Sequence, residues 1–268
     1  MSGLARTGRG SWFPRPRAIA RVAGAWLRPI VELRPWRAAR GYAKLARDWK
    51  RYSALPGSER LRVRDALPML YDDTRRTVFD AHYFYQGVWA FGHIERARPR
   101  LHVDVGSMLL YMGFVSVSTP VLFLDIRPAL IRLPGFHPVG ASLLRLPFAD
   151  GSVASLSCLH VVEHVGLGRY GDPLDADGSA RALDELARVL APGGDLYLSL
   201  PIGVPRVCFN AHRIHEPGWM TARLPGLELV DFAGVDDRGR FRAPADPADF
   251  ASSRYACGMY HLRRRRAR

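Results

Sequence analysis

The feature that most limits the fold of this chain is a regular alternation that begins at Leu101. From there, short apolar runs are separated by turns and by stretches of helical periodicity. Such an alternation is typical of a parallel sheet flanked by helices. The apolar runs predict five strands, at Leu101–Val105, Val121–Ile126, about Pro138–Ser142, Ala154–Leu159 and Asp195–Leu200.

The last part of the alternation predicts a change of strand direction. A helix over Ala180–Leu190 is closed by the stop signal Ala191-Pro192-Gly193-Gly194 before the fifth strand. Two further strands, Leu227–Val235 and Tyr255–Leu262, are spaced as a closing antiparallel hairpin would be. The sequence therefore predicts an α/β domain whose sheet is mostly parallel and ends in an antiparallel pair.

Two segments precede this α/β domain, which we place at residues 101–268. Residues 1–64 form a basic extension, in which Gly41–Tyr52 predicts a helix. Residues 65–100 are rich in aromatic side chains, and their run FDAHYFYQGVWAFGHIERA predicts another helix that packs on the core. The aromatic face of that helix leaves open a second role, as one wall of a substrate pocket.

The net charge of +14 belongs to the ends of the chain. Residues 1–64 hold sixteen Lys and Arg against three Asp and Glu, and five arginines follow from Arg263 onward. We interpret both ends as solvated, partly disordered segments, and we do not predict nucleic-acid binding. The alternative is an amphipathic helix over Ala18–Leu33 that lies on an anionic membrane surface, although Pro29 interrupts it.

Cysteine usage and hydropathy predict the compartment. Cys158, Cys208 and Cys257 are widely separated and lack the C-x-x-C spacing, so neither a disulfide framework nor a cysteine zinc site is predicted. No apolar run is long enough for a membrane-spanning helix, and the first residues do not read as a secretory signal. We expect a cytoplasmic protein, soluble or peripheral at the inner face of the membrane.

The first two predicted strands end in residues suited to a nucleotide. The first runs into Asp104-Val105-Gly106-Ser107, where a glycine lets the backbone pass close to a ligand. Asp125 follows twenty-one residues after Asp104, at the end of the second strand. A carboxylate at that place can accept both hydroxyls of an adenosine ribose. The pair predicts a nucleotide-like cofactor at this end of the sheet.

A resemblance makes the cofactor specific. The runs LRLPFADGSVASLSCLHVVEHV and ALDELARVLAPGGDLYLSLP resemble the core of class I methyltransferases, and the stretch from His102 to His261 resembles the bacterial and nematode family called domain of unknown function 268. The motif HYFYQGVW extends this likeness upstream. The resemblance implies a Rossmann-like methyltransferase sheet and S-adenosylmethionine as cofactor. The cofactor-binding candidates are Asp104, Gly106, Ser107, Asp125, Ser142 and Leu143.

The chain departs from the methyltransferase pattern at three places. The usual Gly-x-Gly-x-Gly turn is reduced to Gly106, and Met108 takes the place of the second glycine. We expect Met108 to crowd the cofactor unless the loop follows another path. Ser142 and Ala154 stand where many relatives have aspartate. These departures leave open a non-catalytic protein that keeps the fold and binds a ligand or a partner.

His160, Glu163 and His164 spell H-x-x-E-H, which is also the signature of inverted zinc peptidases. That motif needs a helix, whereas His160 comes at the end of a predicted strand, so we predict no catalytic metal. An alternative metal site would join His160 or His164 to His212 or His215. Residues that follow the fourth strand face the ligand crevice, and these three side chains are our candidates for a general base.

The remaining candidates are predicted to bind the acceptor. A glycine-rich loop after the histidines contributes Arg169, Tyr170 and Asp172, and a segment after the fifth strand contributes Asn210, His212 and Arg213. These side chains would form a polar pocket. The sequence thus predicts methyl transfer to the oxygen or nitrogen of a small polar acceptor, for which we suggest a saccharide of a surface glycan.

Overall fold

The computed structural model describes residues 35–266 of the chain, which divides into two compact units, residues 1–78 and 79–268. In the smaller unit, helix α1 (Pro35–Ser53) confirms the helix predicted over Gly41–Tyr52 and begins six residues earlier. The amphipathic helix predicted over Ala18–Leu33 lies outside the described residues. No helix within residues 35–266 combines the length and the apolar character that crossing a bilayer requires.

The larger unit is an α/β structure. Before the sheet comes helix α2 (Ala81–Ala97). Its N-cap is Asp80, whose carboxylate accepts hydrogen bonds from the backbone N–H groups of His82 and Tyr83. The elements that follow are β1 (His102–Val105), α3 (Leu109–Val115), β2 (Val121–Asp125), β3 (Phe136–Gly140), β4 (Val153–Leu159), α4 (Gly178–Val189), β5 (Leu190–Ile202), β6 (Arg206–Cys208), β7 (His212–Ile214), α5 (Trp219–Arg223), β8 (Leu227–Val235), β9 (Phe241–Arg242) and β10 (Ala256–Arg264).

One sheet has the strand order β3-β2-β1-β4-β5-β10-β8-β9. The strands from β3 to β5 are parallel, and β10 runs antiparallel to both β5 and β8. This order confirms the Rossmann-like class I methyltransferase sheet with an antiparallel carboxyl-terminal part. The short strand β9 extends that part by one strand, and β6 and β7 form a separate hairpin.

Side chains that alternate along the strands bury both faces of the sheet. On β5, Leu196 and Leu198 belong to one buried cluster, together with Leu186 of α4. Tyr197, between them, belongs to the other buried cluster, together with Ile94 of α2. Because successive side chains of a strand point to opposite faces, α2 and α4 cover opposite sides of the sheet. The aromatic helix therefore packs on the core of the larger unit.

The Pro-Gly-Gly signal acts differently from its prediction. It does follow the end of helix α4 at Val189, but it lies inside the long strand β5 and not before it. Leu190 pairs with Val153, and the next paired residues are Asp195 and Ser155, so the residues between bulge out of the ladder. Strand β3 also lies two residues earlier than predicted, because Phe136 pairs with Val121.

Part of the terminal arginine run is ordered, where the sequence predicted a solvated, partly disordered segment. Strand β10 continues to Arg264, two residues beyond its predicted end. Arg263 donates from Nε to Asp195 at 2.8 Å, and Arg264 donates to the carbonyl oxygen of Leu190 at 2.6 Å. These acceptors lie on β5, the neighbour of β10, so strand pairing carries the two arginines into the structure.

Candidate active site

A cavity of about 130 Å³ opens at the carboxyl ends of β1, β2 and β4. The strand order reverses between β1 and β4, and ligands of open α/β sheets bind at such a reversal. Many residues predicted for the site line this cavity. They are Gly106, Asp125, Ser142, Leu143, His160, His164, Tyr170 and Asp172.

Gly106 is required by its backbone and by its neighbour. Its φ is +71°, and a Cβ at this position would lie 3.1 Å from Cγ1 of Val161. Both facts disfavour any larger residue. Met108, which was expected to crowd the cavity, is 41% exposed and does not line it. The side chain that packs against the turn at Gly106 is Val161, not Met108.

Asp104 and Ser107, predicted as cofactor contacts, support the turn and do not line the cavity. Oδ1 of Asp104 accepts from Ser107 N at 3.0 Å, and Oδ2 accepts from the Ser107 hydroxyl at 2.6 Å and from the Ser157 hydroxyl. The Ser107 hydroxyl in turn accepts from Leu159 N at 3.0 Å. Burial raises the pKa of Asp104 to about 6, although these hydrogen bonds act to lower it.

Asp125 is the carboxylate that reaches the cavity. Its Oδ1 accepts from the backbone N–H of Arg127 at 2.7 Å, and its side chain is 21% exposed. Among residues 35–266, none hydrogen bonds to its other oxygen, which leaves that atom for a ligand. Leu143 and Ser142 stand on the same cavity wall, so an apolar and a polar surface lie beside the carboxylate.

The three residues of the H-x-x-E-H run are grouped around one buried carboxylate. His160 has a φ of 55°, which is uncommon for a residue with a side chain, and it directly follows strand β4. Val162–His164 is a single 3-10 turn, so the run lacks the α-helix that a zinc peptidase motif needs. His160 Nδ1 lies 2.7 Å from Oε1 of Glu163, and His164 Nε2 lies 3.7 Å from the same oxygen.

Electrostatics make Glu163 the fixed negative charge of this group. Burial alone would raise its pKa, but the neighbouring His160 and His164 lower it below the usual value. Burial lowers the pKa of His160, but Cys257 and Glu163 outweigh that effect and raise it to about 10. His160 borders the cavity, yet its side chain is only 3% exposed. It is therefore a partner of the carboxylate and a poor proton acceptor for a ligand.

His164 has the geometry of a base. Its Nδ1 lies 2.6 Å from the carbonyl oxygen of Ala211, which can only accept, so Nδ1 carries a proton. A neutral ring then holds its lone pair on Nε2. His164 lines the cavity, and Glu163 lies close enough to stabilise the imidazolium that forms when Nε2 takes a proton.

A loop covers one side of the cavity. The guanidinium of Arg127 lies 4.4 Å from the ring centre of Tyr170, and that of Arg169 lies 5.0 Å from it. Asp172 shapes the loop by accepting from the backbone N–H of Gly166 at 2.6 Å and of Tyr170 at 3.3 Å. Tyr170 and Asp172 thus both line the cavity and hold the loop across it.

Four residues predicted to bind the acceptor do not line the cavity. Arg213 donates to the carbonyl oxygens of Val165 at 2.6 Å and Asp175 at 3.0 Å, so its guanidinium braces the loop. Arg169 donates to the carbonyl oxygen of Ala211 at 3.2 Å. Asn210 is exposed, and the ring of His212 lies 5.1 Å from that of Tyr255. Arg169 and Arg213 therefore join the glycine-rich loop to the segment after β5, and neither lines the cavity.

The surroundings of His160 contain residues that the sequence did not indicate. The ring of His82 is stacked on that of His160 at 5.6 Å, and the ring of Tyr83 lies 5.3 Å away. The aromatic run had suggested a pocket wall, but no signal singled out His82. Cys257 reaches the same place from β10, and only the pairing of β10 with its neighbours could have revealed it.

Comparisons with known proteins agree with the sheet order. Residues 150–243 match the profile of the family described as "Caenorhabditis protein of unknown function, DUF268". A search of curated proteins found no match. Among solved structures, the [4+2]-cyclase SpnF is similar with a TM-score of 0.50 and 14% identity, over 68% of this chain and 81% of that one.

Two methyltransferases show lower similarity. The 1,6-didemethyltoxoflavin-N1-methyltransferase of Burkholderia thailandensis has a TM-score of 0.48 and 13% identity, over 69% of this chain and 79% of that one. The N-methyltransferase NodS of Bradyrhizobium japonicum, solved with S-adenosylhomocysteine, has a TM-score of 0.48 and 12% identity, over 81% of this chain and 97% of that one. Identities this low compare folds and not activities. The chain therefore resembles the DUF268 family over residues 150–243 and has a Rossmann-like fold, with the mixed sheet predicted from the methyltransferase resemblance.

Proposed function

We propose that this protein transfers a methyl group from S-adenosylmethionine to a polar acceptor. One observation carries the proposal: Asp125 and His164, a carboxylate and a histidine whose Nε2 makes no hydrogen bond among residues 35–266 and lies 3.7 Å from the Glu163 carboxylate, line the same cavity at the reversal of the strand order. The fold alone would allow other ligands. Methyl transfer requires the protein to bind the cofactor and to provide a base for the acceptor; Asp125 would do the first and His164 the second.

The residues of the cavity fit the chemistry of the cofactor. Asp125 has an oxygen free to accept from ribose hydroxyls, and Ile126 and Leu143 offer apolar surface to a purine ring. Gly106, without a side chain, permits a close approach of backbone and ligand. When bound, S-adenosylmethionine would supply an electrophilic methyl group on its sulfonium.

The size of the cavity implies that the loop must move. Pockets for drug-sized ligands occupy roughly 300 to 1,000 Å³, whereas the cavity measures about 130 Å³. The contact of Arg127 with the ring of Tyr170 is a cation–π interaction near the surface, worth about 0.5–1 kcal/mol. Displacing Tyr170 would break this contact, the similar one with Arg169 and the backbone hydrogen bond to Asp172, and its return would exclude water from the bound ligand.

His164 would act on the acceptor. Its Nε2 takes the proton from an acceptor hydroxyl or amine as the methyl group is transferred, and Ala211 holds the ring by accepting from Nδ1. Glu163, negative and buried, stabilises the protonated ring. Asp172 and Tyr170 at the mouth of the cavity favour an acceptor with several hydrogen-bonding groups. A saccharide, methylated at oxygen or nitrogen, fits that description.

A non-catalytic protein is the second candidate, and the position of Val161 favours it. The side chain of Val161 packs against Gly106, and Gly106 belongs to the turn that approaches the cofactor in methyltransferases. If that side chain cannot give way, the cavity admits only a smaller ligand. The two functions differ in a simple binding measurement.

Titration calorimetry of the full chain with S-adenosylmethionine and S-adenosylhomocysteine tests the proposal. We expect both to bind, and Asp125→Ala to weaken binding by more than about tenfold, because hydrogen bonds to a charged group are lost. Asp249→Ala, at an exposed aspartate outside the cavity, is the matched control and should bind normally. Folded protein that binds neither compound would reject the enzyme and leave the non-catalytic function.

The acceptor can be sought with the same protein. Release of S-adenosylhomocysteine is measured while sugars, sugar nucleotides and polar amines are supplied one class at a time. Contact of the basic segment 1–64 with an anionic membrane, and a cytoplasmic location, are further proposals that rest on composition alone. Flotation of the full chain with anionic vesicles would test the first of them.

A further inference from the structure

A second polar cluster lies beside the cavity and is not used by the proposed reaction. Among residues 35–266, one group of three metal-ligating side chains has its ligand atoms all within 4.8 Å of one another. The group consists of His82 in α2, His160 after β4 and Cys257 in β10. Within these residues, no group of three ligand atoms this close joins His160 or His164 to His212 or His215, as the alternative site predicted from the sequence would.

The outward nitrogen of His160 is the strongest sign of a ligand. Nε2 is buried and makes no hydrogen bond of normal length within residues 35–266, the Cys257 thiol being a close polar neighbour of the ring, and the side chain is 3% exposed. Leaving a buried polar atom unsatisfied costs about 1–3 kcal/mol. Native structures rarely keep such an atom without a reason, and a bound ion would satisfy it.

The other side of the His160 ring is arranged as in metal sites. Nδ1 lies 2.7 Å from the Glu163 carboxylate. Histidines that bind metals commonly donate their second N–H to a carboxylate, which orients the ring and makes the ligating nitrogen more basic. Glu163 would thus hold His160 with Nε2 directed away from the carboxylate, toward a cation that displaces the proton carried by Nε2 in the metal-free protein.

The other two ligands are also available. Cys257 is fully buried, and its hydrogen bond to the carbonyl oxygen of Gly258 is long at 3.9 Å. Within the described residues, the ring of His82 makes contacts with His160 and Tyr255 but no hydrogen bond. His82 and Tyr255 also line a surface depression, so the His82 end of the cluster borders solvent.

We infer that His82, His160 and Cys257 bind a zinc ion, with a fourth position open toward this depression. Two imidazoles and a thiolate form a nitrogen and sulfur donor set, which suits Zn²⁺ and disfavours Mg²⁺ or Ca²⁺. Three protein ligands leave one of the four tetrahedral positions for water or another small ligand. The ion would join α2 to the sheet through β4 and β10. This inference does not rest on the proposed methyl transfer.

Metal analysis of the full-length protein tests the site. The protein is produced with zinc in the medium, purified without a histidine tag and without chelators, and dialysed before elemental analysis. We expect about one zinc ion per chain. A cobalt-substituted sample should show the near-ultraviolet absorption of a thiolate bound to cobalt. Folded protein without stoichiometric metal would overturn the inference, and a stoichiometric metal other than zinc would overturn the identity of the ion.

Matched variants locate the metal. His82→Gln, at a partly buried position, should reduce zinc content at least tenfold without unfolding the protein, and Cys257→Ala should also abolish the thiolate absorption. His215→Gln replaces another histidine with an unpartnered buried nitrogen, and Cys158→Ala replaces another buried cysteine. Both controls should retain zinc. Zinc content that His82→Gln leaves unchanged in the folded protein would place the metal elsewhere.

Discussion

Two layers of polar residues at the carboxyl ends of the strands differ in what they can reach. Asp125 and His164 line the cavity, whereas Asp104 is fully buried and His160, although it borders the cavity, has a side chain that is only 3% exposed. Each layer holds one aspartate and one histidine, and the two histidines share the carboxylate of Glu163. We call the first pair the cavity layer and the second pair the sealed layer.

The difference teaches that residue type does not decide a role at this edge of the sheet. Asp104 accepts from Ser107 and Ser157, so its oxygens are committed to the protein. Asp125 keeps one oxygen without a partner in the described chain. A buried group that is already satisfied maintains the structure, whereas a group with a free atom at a cavity can act on a ligand.

The largest expected effect separates the two layers by catalysis. His164→Gln should lower methyl transfer about 100- to 10,000-fold, the usual range for loss of a general base. Affinity for S-adenosylhomocysteine should stay within about threefold, because the ring acts on the acceptor and not on the cofactor. His215→Gln, a histidine outside both layers, should keep full activity. Turnover that survives His164→Gln would remove the distinction between the layers.

The next effect concerns the pH dependence of stability in the sealed layer. The pKa of Asp104 is about 6 in the folded protein against a usual 3.8, so the folded state binds more protons between these values. Its contribution to the free energy of unfolding therefore falls, by about 3 kcal/mol in total, as the pH rises from about 4 to 6. Above pH 6 the contribution is constant.

Asp104→Asn should remove this fall. The pKa of the neighbouring His102 is lowered by burial to about 3, so its contribution rises with pH over the same window. The stability of the variant should therefore increase more steeply between pH 4 and 6 than that of the unsubstituted protein. Urea denaturation at a series of pH values measures both curves. Parallel curves would mean that Asp104 is ionised throughout and is not sealed.

A smaller effect compares the two aspartates as ligand contacts. Asp125→Asn should weaken binding of S-adenosylhomocysteine about 30-fold, or about 2 kcal/mol, since a neutral amide replaces a charged acceptor. Asp104→Asn should change the same affinity by less than about threefold at pH 7.5, provided that the variant is folded. Titration calorimetry on both variants provides the numbers. Equal losses would show that the sealed aspartate also contacts the cofactor.

The smallest effect concerns the loop over the cavity layer. Arg127→Met removes the contact with the ring of Tyr170, worth about 0.5–1 kcal/mol, and should speed association of S-adenosylhomocysteine by roughly two- to fivefold. Arg132→Met, at an exposed arginine outside the cavity wall, should leave the rate unchanged. Stopped-flow fluorescence measures the rates. An unchanged rate in Arg127→Met would show that Tyr170 does not limit entry.

The sequence by itself determined the local elements and their order. Strand Leu227–Val235 was predicted with its observed bounds, and Val121–Asp125 was predicted to within one residue. Both are apolar runs bounded by turns, a pattern that depends only on residues close in the sequence. Gly106 was also readable from the sequence, since only a residue without a side chain tolerates its φ of +71°. Asp125 and His164 were named as candidates because residues at strand ends face the crevice.

Only the tertiary structure decided which candidates reach the cavity. Asp104 and Asp125 both lie in or at the end of apolar strands. Nothing in the sequence shows that Ser157, on another strand, would donate a hydrogen bond to Asp104. Cys257 is ninety-seven residues from His160 in the chain, and strand pairing across the sheet brings them together. Burial and hydrogen-bond satisfaction are properties of packed neighbours, so a list of residue types could not assign them.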